Sequence, residues 1–312
     1  MRCIALVISH GFQIMSLSAL SAFELANLTA EEPVYDVHVL SDGGGLVAAS
    51  IPGVELNTQP IAEVDFDTVI FGGGLALEDA STGTADFVRR SFDQSRRVAG
   101  VCMGAFVLAQ AGILNGRQVT THWATARELQ ARYPSIRVDA DRIFIVDGSI
   151  WTSAGASAAV DLALGMVEDD LGVEIARLVA KKLVLYQRRG GGQSQHSALL
   201  DMDAKSDRIQ RALAFAKCNL DRPLGVEALA EAARLSPRQF SRAFRAETGQ
   251  TPAKAVENLR VEAARMMLEQ TSHPIEVIAV ETGFADRERM RQAFLRAFGQ
   301  PPQALRRLVH AA

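Results

Sequence analysis

The chain has 312 residues, 48% of them hydrophobic and 22% charged, with a formal net charge of −3. That is the composition of a soluble globular protein with enough chain for two ordinary domains, which excludes disordered and fibrous classes. No run of 18 apolar residues exists to span a membrane, and the three cysteines, at 3, 102 and 218, form neither a paired disulfide framework nor a metal-ligand spacing, which fits a reducing cytoplasm.

The opening stretch, MRCIALVISHGF, is interrupted by Ser9-His10-Gly11 and lacks a following small-residue cleavage site, so it reads as a first buried strand rather than a leader. CIALVIS (3–9), YDVHVLS (35–41), TVIFGG (68–73), RVAGVC (97–102) and QVTTH (118–122) are short β-branched or apolar runs. Helical periods fall between several of them, at 15–27, 84–95, 103–111 and 124–132. Shorter strands are expected near 136–153, then helices at 155–168 and 173–186. Alternation of this kind predicts a doubly wound, flavodoxin-like α/β domain over 1–187, with a mostly parallel sheet and helices on both faces.

Within that domain, VAGVCMGAFVLAQAG (98–112) runs a strand into Cys102 and switches to a helix through Gly104. A thiol at such a corner meets the unpaired N–H groups and dipole of a helix N-terminus, which favour thiolate. Gly100 and Gly104 allow the tight turn and close helix–strand packing. FGGG (71–74) ends the neighbouring strand in bare backbone, able to offer N–H groups to an oxygen or carboxylate. TTHW (120–123) is expected to bring His122 and Trp123 to the same sheet edge. Ligands favour the carboxyl ends of strands in such sheets, so Gly73, Gly74, Cys102, His122 and Trp123 are the expected pocket. On residues alone, Cys102 is a nucleophile, a redox switch or a wall of that pocket. Cys3 and Cys218 have no partner nearby in sequence.

QRRGGGQSQHSALLDMDAKSD (187–207) carries three consecutive glycines and polar neighbours, predicting a flexible linker over 188–204. Charge changes sign across it: residues 1–204 hold 15 Lys/Arg against 24 Asp/Glu, and residues 205–312 hold 18 against 12. An acidic front on a basic back suggests that only the back meets a polyanion.

Strand patterns vanish after the linker, and the domain at 205–312 reads as all-α. RAFRAETGQTP (242–252) matches QAFLRAFGQPP (292–302) at a shift of 50 residues, so one supersecondary unit occurs twice. In the first copy, helix 226–233 turns Leu229, Ala230 and Ala233 inward, Ser236-Pro237 starts the next helix, and Phe240, Ala243 and Phe244 form its buried side. Arg238, Arg242 and Arg245 share its outer face. In the second copy, helix 275–282 ends at Gly283 and Asp286 caps a helix that buries Met290, Ala293 and Phe294, leaving Arg287, Glu288 and Arg291 outside. Each copy reads as a helix–turn–helix. Helices presenting guanidinium groups fit the DNA major groove, and a good Arg–guanine pair contributes roughly 1–3 kcal/mol of discrimination.

Residues 205–308 resemble the AraC family of bacterial transcription regulators, on LAEAARLSPRQFSRAFRAETGQTP, RVEAARMMLEQT and PIEVIAVETGFADRERMRQAFLRAFGQPP. The resemblance implies recognition helices at about 237–247 and 287–298. Arg238, Ser241 and Arg242 would face bases, with Gln239 and Arg245 beside them, and Arg287, Glu288 and Arg291 would stand at the matching positions of the second helix. Glu288 is expected to pair with Arg291 or Gln292 rather than to accept from a cytosine.

Residues 1–186 resemble the ThiJ/PfpI family of the class I glutamine amidotransferase-like fold, on VIFGGG, GVCMGAFVLAQAGILNGR, TTHW and TSAGASAAVDLAL. Joined to the AraC-type tail, the whole chain resembles the GlxA group of regulators. That resemblance implies a homodimeric activator of double-stranded DNA operators, controlled by a small-molecule effector of nitrogen-compound metabolism, with RNA polymerase as a further contact. Enzymes of the superfamily activate the cysteine with a histidine directly after it or with an acid from the first strand–helix region. Here Met103 follows, and Ser16 stands where isonitrile-hydrating relatives have an aspartate. A hydroxyl is no general base near pH 7. Ser16 and Met103 therefore join the expected ligand site, and no turnover, cofactor or metal is expected. The rival readings are a cysteine-dependent hydrolase or hydratase with a DNA-binding tail, and a thiol redox sensor.

Overall fold

Parallel strands covered on both faces need near-continuous apolar runs, and ALV of the first strand supplies them. In the computed structural model, which describes residues 1–61, 65–185, 188–193, 195, 204, 206–298 and 300–310, β1 (Arg2–Val7) lies near the centre of an eight-stranded sheet. The strand order is β3-β4-β2-β1-β5-β6-β10-β9, with β2 at Tyr35–Ser41, β3 at Gly45–Ala48, β4 at Glu55–Pro60, β5 at Thr68–Phe71, β6 at Arg97–Val101, β9 at Phe144–Asp147 and β10 at Ile150–Ser153. All ladders are parallel except β3/β4 and β9/β10 at the two edges.

Successive side chains of β1 take opposite faces, as the strand period requires. Ile4 and Leu6 pack with α1 (Ser18–Ala30), α5 (Ser157–Leu171) and α6 (Val173–Lys182) through Phe23, Leu162 and Val179. Ala5 and Val7 pack with α2 (Thr82–Gln94), α3 (Gly104–Gln110) and α4 (Trp123–Arg132) through Phe87, Leu108 and Leu129. The expected doubly wound fold is present.

Two details differ from expectation. The edge strands β3 and β4 are short and partly exposed, so they lack the apolar runs that mark the central strands. The expected strand at 118–122 shrinks to β7 (Gln118–Val119), which pairs with β8 (Arg137–Val138) in a separate two-stranded ribbon. Thr120 and Thr121 leave the strand because their polar groups are engaged elsewhere: Thr120 N–H donates to Thr152 Oγ1 at 2.9 Å and Thr121 Oγ1 donates to the Cys102 carbonyl at 2.8 Å.

At the other end of the sheet, the Asp170 carboxylate is buried among cations. It accepts from Arg96 Nη1 at 2.6 Å, Arg97 Nη2 at 2.7 Å and the Tyr35 hydroxyl at 2.9 Å. Burial alone pushes this carboxyl up, but the hydrogen bonds from Arg97 and Arg96 outweigh it and hold the group at about 2.

The first compact unit runs through Gln195 and the second follows it. The expected flexible linker at 188–204 is corrected over its first part. Arg189 holds Asp161 through Nε at 2.9 Å and Nη2 at 2.6 Å, Ile143 N–H donates to the Gln193 carbonyl at 3.0 Å, and Gly191 lies against Phe144 so tightly that a Cβ would come within 2.6 Å of its carbonyl oxygen. The remainder of that segment, apart from Ala204, lies outside the described residues, as do 186 and 187.

Among the described residues of the second unit, all regular secondary structure is helical: α7 (Asp207–Cys218), α8 (Val226–Ala232), α9 (Pro237–Thr248), α10 (Pro252–Gln270), α11 (Ile275–Glu281), α12 (Arg287–Phe298) and α13 (Pro302–His310). It has two small cores. Phe240 and Phe244 centre one and Met290 and Phe294 the other. Helix α10 serves both, giving Ala255, Val256 and Leu259 to the first and Val261, Ala264 and Leu268 to the second.

Candidate ligand pocket and nucleic-acid interface

Cys102 directly follows β6 with φ of +55°, a left-handed conformation rare for a side-chain-bearing residue. Its neighbours over-determine it. Its N–H donates to the Ser153 carbonyl at 2.9 Å. A Cβ on Gly104 would fall 1.9 Å from the Phe71 carbonyl oxygen, and one on Gly155 would fall 2.2 Å from the Cys102 Cβ. The corner therefore needs glycine at both places. The expectation of a favoured thiolate is overturned: burial pushes the Cys102 thiol up, against a smaller downward pull from the Met103 N–H. The helix that begins beside it is a short one of seven residues, and removal from water dominates.

The expected ligand residues do not all meet. Gly73, Gly74 and Met103 line a cavity of about 60 Å³ with His10, Glu78 and Phe106. This is well below the roughly 300 Å³ at which metabolite-sized pockets begin. Gly73 has its place because a Cβ there would be 2.3 Å from the Met103 Cβ. Ser16 is buried behind Gly72, whose added Cβ would lie 3.3 Å from the serine hydroxyl. Cys102, His122 and Trp123 do not line this cavity. His122 instead caps α4, its Nδ1 accepting from the Ala124 N–H at 3.3 Å. Trp123 is 53% exposed, and its ring lies 5.4 Å from the His122 ring.

Sequence reasoning missed the group that connects these residues. The Gln195 side-chain amide donates to the Thr121 carbonyl at 2.8 Å and the Arg142 carbonyl at 3.0 Å, and its oxygen accepts from the Trp123 N–H at 2.9 Å. A glutamine inside a polar, glycine-rich stretch carries no signal of this. His10 was missed as well, although it lies in SHG, three residues after β1, which marks the carboxyl end of a central strand.

In the second unit the expected helix–turn–helix geometry is present twice. Ser236 and Gln239 form a reciprocal capping box at the start of α9, and Asp286 Oδ1 accepts from the Arg289 N–H at 2.8 Å at the start of α12. Gly283 takes φ of +76° after α11. Phe240, Phe244, Met290 and Phe294 are all 1% exposed or less. Helix α10, 19 residues long, spans about 28 Å between the two pairs at 1.5 Å per residue.

The two outer faces differ. Arg238, Gln239, Arg242 and Arg245 are exposed and Ser241 is half-buried. The three arginines make no ion pair or side-chain hydrogen bond with a described residue, whereas Gln239 is engaged in the capping box. On α12, Arg287 pairs with Glu276 at 2.9 Å, and Arg291 grips Glu288 through two bonds of 2.7 and 2.8 Å. Gln292 also donates to Glu288 at 2.8 Å. Hydrogen bonds from Arg291 and Gln292 hold the Glu288 carboxyl at about 2. Both expected partners of Glu288 are therefore engaged.

The equivalence of positions also needs adjusting. The caps Ser236 and Asp286 stand 50 residues apart, like the repeat itself. Arg238, Ser241 and Arg242 thus correspond to Glu288, Arg291 and Gln292. Arg287 corresponds to Pro237. Gln292 was missed, although the 50-residue shift already pointed to it.

A cysteine-elbow α/β unit followed by paired helix–turn–helix units has the make-up of a DNA-binding transcription regulator. The models for the DJ-1/PfpI family and for a helix-turn-helix domain match residues 5–169 and 229–308. The chain belongs to the DJ-1/PfpI family, in its AraC-type helix–turn–helix regulator branch. It is 31% identical to the HTH-type transcriptional regulator GlxA of Rhizobium meliloti (strain 1021), over 97% of this chain and 95% of that protein. It is 39% identical to the isonitrile hydratase of Pseudomonas putida, over 36% of this chain and 47% of the enzyme. The fold matches a crystal structure of an AraC family transcriptional regulator from Pseudomonas putida with a TM-score of 0.54 and 22% identity, over 59% of this chain and all of that one.

Proposed function

We propose that the second unit reads an operator in double-stranded DNA while the first binds a small metabolite that sets its activity. The observation that carries the DNA half is the face of α9, where Arg238, Arg242 and Arg245 project unpaired above a floor of Phe240 and Phe244. Unpaired guanidinium groups on a rigid helix suit bidentate contacts to guanine and contacts to phosphate. In this reading Arg238, Ser241 and Arg242 meet bases. Arg245 meets phosphate, and Gln239 fixes the helix start beside it. On the second helix Arg291 and Gln292 meet bases with Glu288 as their partner, and Arg287 lies at the rim.

The ligand half rests on the strand-edge position of Gly73, Gly74 and Met103, next to the Cys102 corner. The buried Ser153 hydroxyl beside that corner has no hydrogen-bond partner among the described residues, the kind of vacancy a polar ligand group fills. Widening the small cavity to admit a metabolite is then the event that changes the corner. A ligand acts only through such a difference between states.

Cys102 acts here as a structural corner beside the cavity rather than as a catalyst. Its thiol is pushed up, Met103 cannot take a proton, and Ser16 is a hydroxyl behind Gly72. The rival hydratase reading leans on the elbow backbone, and an activated nucleophile needs a base, which neither Met103 nor Ser16 is. The same shielded thiol weighs against a redox sensor. The remaining parts of the proposal are a cytoplasmic homodimer, activation through RNA polymerase and an effector from nitrogen-compound metabolism. No described helix is long and apolar enough to cross a membrane.

Genome-wide mapping of sites bound by the tagged chain tests the proposal. A shared motif should be enriched, lying near genes whose products handle one class of metabolite. A map no different from that of an Arg238→Ala/Arg242→Ala double variant would end it.

A further inference from the structure

Two reading helices recognise one operator only if their separation and angle are fixed, and in this chain a single guanidinium sits where that would be set. Arg260 lies on α10 between Leu259, which belongs to the first core, and Val261, which belongs to the second. Its Nε donates to the Leu220 carbonyl at 3.1 Å and its Nη2 to the Arg222 carbonyl at 2.6 Å. Both carbonyls belong to the turn that leads from α7 into the first helix–turn–helix.

The second helix–turn–helix presses on the same point. Gly283, in the turn between α11 and α12, comes so close that a Cβ would lie 1.7 Å from the Leu220 oxygen and 2.8 Å from Arg260 Nε and Nη2. One carbonyl oxygen is thus bonded by the linking helix and abutted by the second reading unit. A further tie runs from Arg296 of α12 to Glu257 of α10 at 2.7 Å. Around this joint opens a groove of roughly 790 Å³.

We propose that the joint of Arg260, Leu220 and Gly283 sets the spacing and angle of α9 and α12, making Arg260 a positioning residue for two-part operators. It touches no base itself. A planar guanidinium holding two carbonyls resists rotation in a way that a single hydrogen bond does not. The inference rests on the DNA-reading role proposed above.

The test is in vitro selection from a random duplex library with the full chain, Arg260→Met and Arg260→Lys, with melting temperatures measured beside it. The wild type should enrich two modules at one fixed spacing, about one helical turn apart. Arg260→Met should enrich the same modules over a range of spacings and bind the wild-type spacing about tenfold more weakly. Arg260→Lys keeps the charge but holds one carbonyl at a time, so it should fall between them, and it stands in if Arg260→Met does not fold. A folded variant that keeps the single spacing and the affinity would overturn the proposal, as would a wild type that enriches one module alone. A wild type that enriches no motif would bring down the DNA-reading role first, and the joint with it.

Discussion

The hydroxyl of Thr121 donates to the carbonyl oxygen of Cys102 at 2.8 Å, and the Thr121 carbonyl in turn accepts from the Gln195 amide at 2.8 Å. Three residues far apart in sequence thus form one hydrogen-bonded chain, from the strained corner to the last described residue of the first unit. Two hydrogen bonds therefore connect that corner to Gln195.

Gln195→Ala should cut this path. Trypsin should then cleave after Arg188 and Arg189 several-fold faster, because the strap that carries them loses its far anchor. Expression from a bound operator should also become indifferent to the growth condition that triggers the wild type. Unchanged cleavage together with unchanged regulation would show that Gln195 only decorates the surface.

Cys102 should be a slow thiol. Burial raises its folded pKa, so at pH 7 to 8 its thiolate fraction lies below that of an ordinary cysteine. Iodoacetamide should modify exposed Cys218 first, and Cys102 labelling should climb only as the pH rises beyond the usual thiol range. Mass mapping after short exposures reads this directly. Alkylation of Cys102 ahead of Cys218 at pH 7 would reopen catalysis.

The Asp170 cluster predicts an acid limit. Its carboxyl is held at about 2 in the folded chain, below the roughly 3.9 of an unfolded aspartate. The sign follows: this stabilisation is complete above pH 4 to 5 and disappears as pH falls towards 2, at about 2 kcal/mol. Arg97→Gln leaves the buried carboxylate short of a partner and should cost about 3 kcal/mol near neutral pH. Urea melts across pH 2 to 7 measure both. A wild-type profile flat below pH 4 would contradict the assignment.

Arg242→Ala should leave the melting temperature within a few degrees of the wild type, since the side chain is exposed and unpaired. It should cost about 1–3 kcal/mol in specific over nonspecific binding. Competition between operator and random duplex at matched salt is the measurement. Equal discrimination in wild type and variant would remove α9 from the reading face.

Much of this was legible in the sequence. The central strands and both helix–turn–helix units announced themselves through apolar period, caps and an exact repeat of Phe, Gly, Gln and Pro positions. Edge strands β3 and β4 did not, because half-exposed strands dilute the alternation that marks them. Of the residues expected at the ligand site, Gly73, Gly74 and Met103 come together at one small cavity. Gly73 and Gly104 are demanded by backbone contacts that any reader of glycine-rich corners can anticipate. The thiol of Cys102 was misjudged because a dipole argument is local, while desolvation depends on how the whole sheet edge closes over it. Gln195 could not be found at all, since its partners are mostly main-chain groups, which leave no trace in residue types.

The clipped arginines of α12 have a thermodynamic consequence. Glu276 and Glu288 serve Arg287 and Arg291 as resident counterions. If that helix meets a phosphate, as in the proposed reading, an internal carboxylate is displaced along with the mobile cations the nucleic acid sheds. Ionic-strength dependence, which counts shed cations, will therefore be governed mainly by the first helix. Neutralising Glu288 would convert the second helix from a self-compensated surface into one that seizes any duplex, exchanging discrimination for indiscriminate grip.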